Sequence, residues 1–120
     1  MGAYILAHDL GTSGNKATLF STDGKLIGSR VEPYDTRYFN GTWVEQNADD
    51  WWNAVCSSTK ELIRGTGISP DEIAAVSFSG QMMGCLCVDR QGRPLRPSII
   101  WADQRAVSQT AQIEEHILQT

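Results

Sequence analysis

The stretch HDLGTSGNKATLF, residues 8–20, decides the fold. An apolar run over residues 4–10 stops at Gly11, and β-branched and aromatic residues resume over residues 16–21. Thr22-Asp23-Gly24-Lys25 supplies another tight turn, and residues 25–32 continue in extended fashion. Three short strands with close turns between them read as an antiparallel meander.

Residue chemistry leaves two readings of the first turn open. As pure structure, Gly11 and Gly14 permit the positive φ values of a tight turn, and Thr12 and Ser13 are ordinary turn residues. As a binding device, small residues let backbone N–H groups approach an anion as a concave nest, with two hydroxyls adding donors. Asp9, at the strand end, can hold a metal-bound water beside phosphates, because Mg²⁺ prefers oxygen ligands and keeps several waters. Lys16 can add positive charge, although a solvated lysine is the plain alternative. The glycines lie three apart and a strand follows, so this is neither a Walker loop nor a Rossmann fingerprint.

Working outward, residues 33–46 read as a loop with Pro, Asn-Gly and exposed aromatics. A helix begins near Asn47, its cap, with Asp49 and Asp50 in the first turn where carboxylates suit the dipole. Trp51, Val55 and Leu62, with Trp52, Cys56, Thr59 and Ile63, make its apolar face, and Gly65 and Gly67 end it. Ser69-Pro70-Asp71-Glu72 is a capping box with Pro at the first helical position. Strands are expected at 73–79, 84–89 and 98–101, and a last helix from about Asp103 with a buried stripe of Val107, Ala111, Ile117 and Leu118. A meander followed by a crossover helix and further strands implies an α/β fold, a mixed sheet with flanking helices, in one domain. The last helix ends without a closing signal, as in a piece of a longer protein.

The 120 residues are 41% apolar and 20% charged with a net charge of −4, which suits a globular protein and argues against nucleic acid or an anionic membrane as partner. No run of about 18 apolar residues is present and no secretory leader is evident, so a cytoplasmic location is expected. The three cysteines, Cys56, Cys85 and Cys87, form no C-x-x-C pair and read as buried free thiols. His8, inside an apolar strand, reads as a satisfied core histidine, and His116 as solvated.

DLGTSGNKATLF (9–20), GTWVEQNADDWWNAV (41–55) and IAAVSFSGQMMGCLCVDRQGRPLRPSIIWADQR (73–105) occur in an order and spacing that resembles the N-terminal part of FGGY carbohydrate kinases, over about residues 4–106. Within that family the chain looks most like xylulokinases. The first motif alone is shared loosely with actin-like and Hsp70-like ATPases; Gln81-Met82-Met83-Gly84 combined with Trp101-Ala102-Asp103-Gln104-Arg105 is the specific part.

The resemblance implies a ribonuclease-H-like, actin-type fold of two domains, with ATP and sugar in the cleft between them. It implies Mg²⁺-dependent phosphorylation of a sugar hydroxyl and allows a homodimer. Under it, Asp9 lies near the metal, and Gly11, Thr12, Ser13, Gly14 and Lys16 serve the ATP phosphates. Met82 and Met83 line the sugar pocket, with Asp103 and Arg105 close to it. Residue chemistry alone leaves Gln81 as ligand contact or turn filling, Trp101 as sugar-stacking or packing, Asp103 as sugar contact or helix N-cap, and Arg105 as sugar contact or surface ion pair. Xylulokinases usually carry His where this chain has Met83, which puts D-xylulose itself in question. The family's catalytic base is an aspartate beyond residue 120, so these residues alone are expected to be inactive. The rivals are a non-catalytic sugar- or partner-binding fragment and an actin/Hsp70-like ATPase.

Overall fold

A computed structural model describes residues 2–119. Strands β1 (Tyr4–Leu10), β2 (Gly14–Ser21) and β3 (Leu26–Pro33) form the expected antiparallel meander, with Leu10 opposite Asn15 across the first turn. Helix α1 (Ala48–Thr66) crosses over to β6 (Ile73–Gly80), which runs parallel to β1. The sheet order is β3-β2-β1-β6, a mixed sheet.

The period-2 pattern of the strands decides which face α1 covers. Leu6 and His8 on β1, with Asn15, Ala17 and Leu19 on β2, point to one side and are buried. Ala54, Val55, Ser58 and Leu62 on α1 meet them, and Leu19 and Leu62 are wholly enclosed. Each of those two side chains contributes roughly 2 kcal/mol by leaving water. Asn47 caps α1 by accepting the Asp49 N–H at 3.1 Å. Gly65 lies inside the helix; Gly67, left-handed at φ 70°, ends it by donating to the Ile63 carbonyl. The Ser69–Glu72 capping box opens a single 3₁₀ turn.

Polar groups are woven into this core. Asn15 Nδ2 donates to His8 Nδ1 at 3.0 Å and to Ser58 Oγ at 2.9 Å, while His8 Nε2 lies 3.3 Å from Thr59 Oγ1. His8 is therefore a satisfied core histidine, stacked on Phe78. Burial pushes its imidazole below the ordinary value of 6.5. Between the folded and ordinary values the unfolded chain binds the extra proton, so stability is complete above about 6.5 and declines as pH falls below it. Urea unfolding followed from pH 7.5 to 5 should show this decline, and the decline should shrink in His8→Gln; an identical slope in both would contradict it.

Several expectations are corrected. The stretch 33–46 is not a plain loop: β4 (Arg37–Phe39) and β5 (Trp43–Gln46) form a hairpin around Asn40 (φ 47°) and Gly41 (φ 76°), and β5 also pairs with β7 (Ser98–Ile99). Asn-Gly between two aromatic runs is itself a hairpin signal. The strand expected at 84–89 is reduced to bridges at Cys85 and Val88, because the Asp89 carboxylate gathers the N–H groups of Gln91 and Arg93 into a turn. Cys85 and Cys87 are exposed, not buried. Helix α2 spans Val107–Leu118, later than expected, and Asp103 does not cap it. Its apolar stripe is exposed because no other element among the described residues covers it. Among the described residues no helix is long and apolar enough to cross a membrane.

Candidate functional site

The β1–β2 turn is held from within. The Gly11 N–H donates to the Gly14 carbonyl at 3.0 Å, closing the turn. The Gly11 carbonyl accepts from the Tyr34 hydroxyl, the Thr12 carbonyl from Gln46 Nε2 at 2.6 Å, and the Ser13 carbonyl from the Tyr34 N–H at 3.3 Å. In a trans peptide the carbonyl and the following N–H point in opposite directions. Anchoring the Gly11 and Thr12 carbonyls to the body of the protein therefore turns the Thr12 and Ser13 amides outward. Among the described residues neither amide donates to a protein group.

The glycines act differently from expectation. Neither Gly11 nor Gly14 has positive φ. Gly14 is required by space: a Cβ there would lie 2.6 Å from the Glu32 carbonyl oxygen and 2.9 Å from Pro33 Cα. The bare backbone lets β3 close against the turn and brings Tyr34 under it.

Strand register sets the flanking charges. Asp9 faces Lys16 on β2 and Ser79 on β6, and all three are exposed. Lys16 thus has a definite direction, on the same face as Asp9, yet the two make no ion pair. Burial, and then the Asp9 carboxylate, push the Tyr34 phenol above its ordinary value.

Asp9, Gly11 and Thr12 share an open depression of about 440 Å³ with Gly80, Gln81, Met82, Met83 and Trp101. Trp101 Nε1 donates to Thr12 Oγ1 at 2.9 Å, leaving the indole about half exposed above it. Gln81 is tethered three ways, its N–H to the Leu10 carbonyl at 2.8 Å and its Nε2 to Gln46 Oε1 at 2.7 Å and to the Gly11 carbonyl at 3.5 Å, while its own Oε1 is buried with no partner among the described residues. Met83 sits at φ 62°, a conformation rare for a side-chain-bearing residue, and Met82 and Met83 both project into the open. A neighbouring cavity of about 290 Å³ extends from the two methionines past Leu86 and Ile100 to Trp51.

Asp103 and Arg105 are not brought to the depression. The Asp103 carboxylate accepts from Arg105 Nε and Nη2 at 2.7–2.9 Å and from the Val44 N–H at 2.6 Å. Arg105 also reaches Glu45 at 3.0 Å and lies 4.0 Å over the Trp43 ring, and Arg96 joins Glu45 at 2.6 Å. The Arg105 guanidinium holds the Asp103 carboxyl far below the usual carboxylate range. This ion cluster fixes the loop that carries Trp101 to β5. Sequence reasoning missed Tyr34, Thr36, Glu45 and Gln46, whose contacts with the turn and the loop are long-range.

The outward-facing Thr12 and Ser13 amides, the Asp9 carboxylate and a mostly apolar depression thus lie together at one end of the mixed sheet. A family model described as the FGGY family of carbohydrate kinases, N-terminal domain, matches residues 4–120, and the chain belongs to that family. It is 38% identical over 113 residues to a glycerol kinase of Nostoc sp., covering 93% of this chain and 23% of that protein. It is 39% identical over 111 residues to a xylulose kinase of Staphylococcus epidermidis, covering 92% and 22%. Among solved structures, a xylulose kinase from Brucella ovis superposes with a TM-score of 0.90 at 30% identity, over 96% of this chain and 24% of that one. The fold is accordingly the ribonuclease-H-like, actin-type layer of the FGGY sugar kinases. The chain spans less than a quarter of the length of the curated relatives it matches.

Proposed function

We propose that these residues are the N-terminal part of the first domain of an ATP-dependent kinase for a small sugar, a ketose such as xylulose or a related pentulose or polyol. The observation that carries this reading is the anchoring of the Gly11 and Thr12 carbonyls, which leaves the Thr12 and Ser13 amides undonated on the turn whose Gly11 and Thr12 line the depression beside Asp9. Phosphoryl transfer depends mainly on positioning and on stabilising charge that develops on phosphate oxygens. ATP with Mg²⁺ would supply the transferable group and much of the neutralising charge.

In this proposal the Thr12 and Ser13 amides and hydroxyls, with Gly11 and Gly14 keeping the backbone bare, hold phosphate oxygens. Lys16 would add positive charge, and Asp9 would hold a hydrated Mg²⁺ whose charge neutralises the phosphates. Gln81 lines the sugar side of the depression, Trp101 stacks on the sugar, and Met82 and Met83 face its less polar side. Asp103 and Arg105 act from behind by fixing the Trp101 loop. The base that removes the sugar proton, the adenine pocket and a second domain lie beyond residue 120. A cytoplasmic enzyme follows from the same reading, as does the family's option of a homodimer.

The full-length protein should release ADP in a sugar-dependent manner when ATP, Mg²⁺ and a panel of pentuloses, hexuloses and polyols are supplied. Absence of sugar-dependent release across the panel would overturn the proposal. Met83 gives the panel a sharper edge, because a thioether forms no strong hydrogen bond where xylulokinases usually place a histidine. Met83→His should raise kcat/KM for D-xylulose about tenfold, the worth of one hydrogen bond to a substrate hydroxyl. An unchanged or lower value would remove Met83 from the specificity argument.

A further inference from the structure

We infer that Gln46 is a positioning residue that ties the phosphate-facing turn to the sugar-facing loop at a fixed separation. This rests on the kinase reading for its kinetic consequence, but the geometry stands without it.

Gln46 is the last residue of β5 and is almost wholly buried, at 2% exposure. Its Nε2 donates to the Thr12 carbonyl at 2.6 Å and to Thr36 Oγ1 at 2.7 Å. Its Oε1 accepts from Trp51 Nε1 at 3.0 Å and from Gln81 Nε2 at 2.7 Å. A primary amide has two N–H donors and two acceptor sites, so the group is saturated. The orientation is forced, because the Thr12 carbonyl can only accept and the Trp51 indole can only donate. Rotating the amide by half a turn would set oxygen against oxygen and N–H against N–H.

One planar amide therefore joins the β1–β2 turn, the connection between β3 and β4, the first turn of α1 and the loop after β6. Two of these partners touch the depression directly. The Thr12 carbonyl decides whether the Ser13 amide points outward, and Gln81 leads the segment that presents Met82 and Met83. A displacement of about 1 Å between such groups is enough to slow transfer about a hundredfold. Sugar contacts made by the loop itself would be less affected.

Gln46→Glu keeps both acceptors for Trp51 and Gln81 but loses both donors and sets a carboxylate oxygen against the Thr12 carbonyl. Trp51→Phe removes one donor to Gln46 and leaves a smaller aromatic ring in its place, a milder change for the case in which the first variant does not fold. In the full-length protein, hydrogen exchange should speed up about tenfold in peptides spanning residues 10–14 and 81–84, with β3 and α2 unchanged, and less in Trp51→Phe. With the sugar that the parent uses, kcat should fall about a hundredfold in Gln46→Glu while sugar KM moves less than about threefold. Faster exchange spread evenly over the sheet would mark Gln46 as merely structural and overturn the inference, as would unchanged exchange at both segments in both variants. Should the parent turn over no sugar, the kinase reading fails, and the exchange pattern alone decides for or against the tie.

Discussion

Asp9→Asn in the full-length kinase lowers kcat about a thousandfold and leaves sugar affinity within about threefold, the loss expected when one preorganised charge is removed from a transfer site. The substitution is close to isosteric, so the β1 ladder opposite Lys16 and Ser79 is retained. What changes is charge. An exposed carboxylate with no ion-pair partner is free to orient a hydrated divalent cation, and an amide has no net charge with which to do so. In the proposed site sugar would be bound by Gln81, the two methionines and Trp101, none of which is replaced. Steady-state kinetics with sugar affinity measured separately by calorimetry separate the two effects. An equal loss in both would show that Asp9 organises the site as a whole and holds no metal water.

The second large effect concerns Asp103. Asp103→Ala removes the acceptor of the Val44 N–H and of four Arg105 hydrogen bonds, one of them from the Arg105 backbone N–H, and leaves Arg105 beside Glu45. Breaking this partly buried ion pair from one side should lower the urea midpoint of unfolding. Because Trp101 lies two residues earlier on the same loop, its indole should no longer be held at Thr12 Oγ1. Sugar KM should rise about tenfold, with a smaller change in kcat, the signature of lost ground-state binding. Asp103→Asn, which keeps an acceptor for Val44, should recover part of the stability. A variant with normal stability and a selectively raised KM would instead argue that Asp103 touches the sugar itself. The pair also has a pH signature. Asp103 titrates in the folded chain well below its ordinary carboxylate value, so its stabilisation is complete above that value and fades as pH falls below it.

The meander, the capped crossover helix and the parallel return strand were legible because each rests on short-range chemistry. The apolar run over residues 4–10 closed by Gly11, the Asn47 cap and the Ser69–Glu72 box all act within a few residues. The site was legible only in part. Asp9, Gly11, Thr12, Gln81, Met82, Met83 and Trp101 were singled out and do meet in one depression. Asp103 and Arg105 were singled out as well, but their pattern is equally that of an internal ion pair, and a distant residue, Glu45, decides between the two. Gln46 carries no local signal at all. It is one polar residue between a short strand and a helix cap, and its role exists only because Thr12, Thr36, Trp51 and Gln81 converge on it in space. The role of Gly14 is hidden for a related reason, since sequence suggests conformational freedom where the structure needs an empty space beside Glu32 and Pro33.

A crystal structure of the full-length protein with Mg²⁺ and a non-hydrolysable ATP analogue tests the central point most directly. Phosphate oxygens should lie within hydrogen-bond distance of the Thr12 and Ser13 amides, with a metal-bound water on Asp9. A triphosphate bound elsewhere, with those two amides facing only solvent, would contradict it.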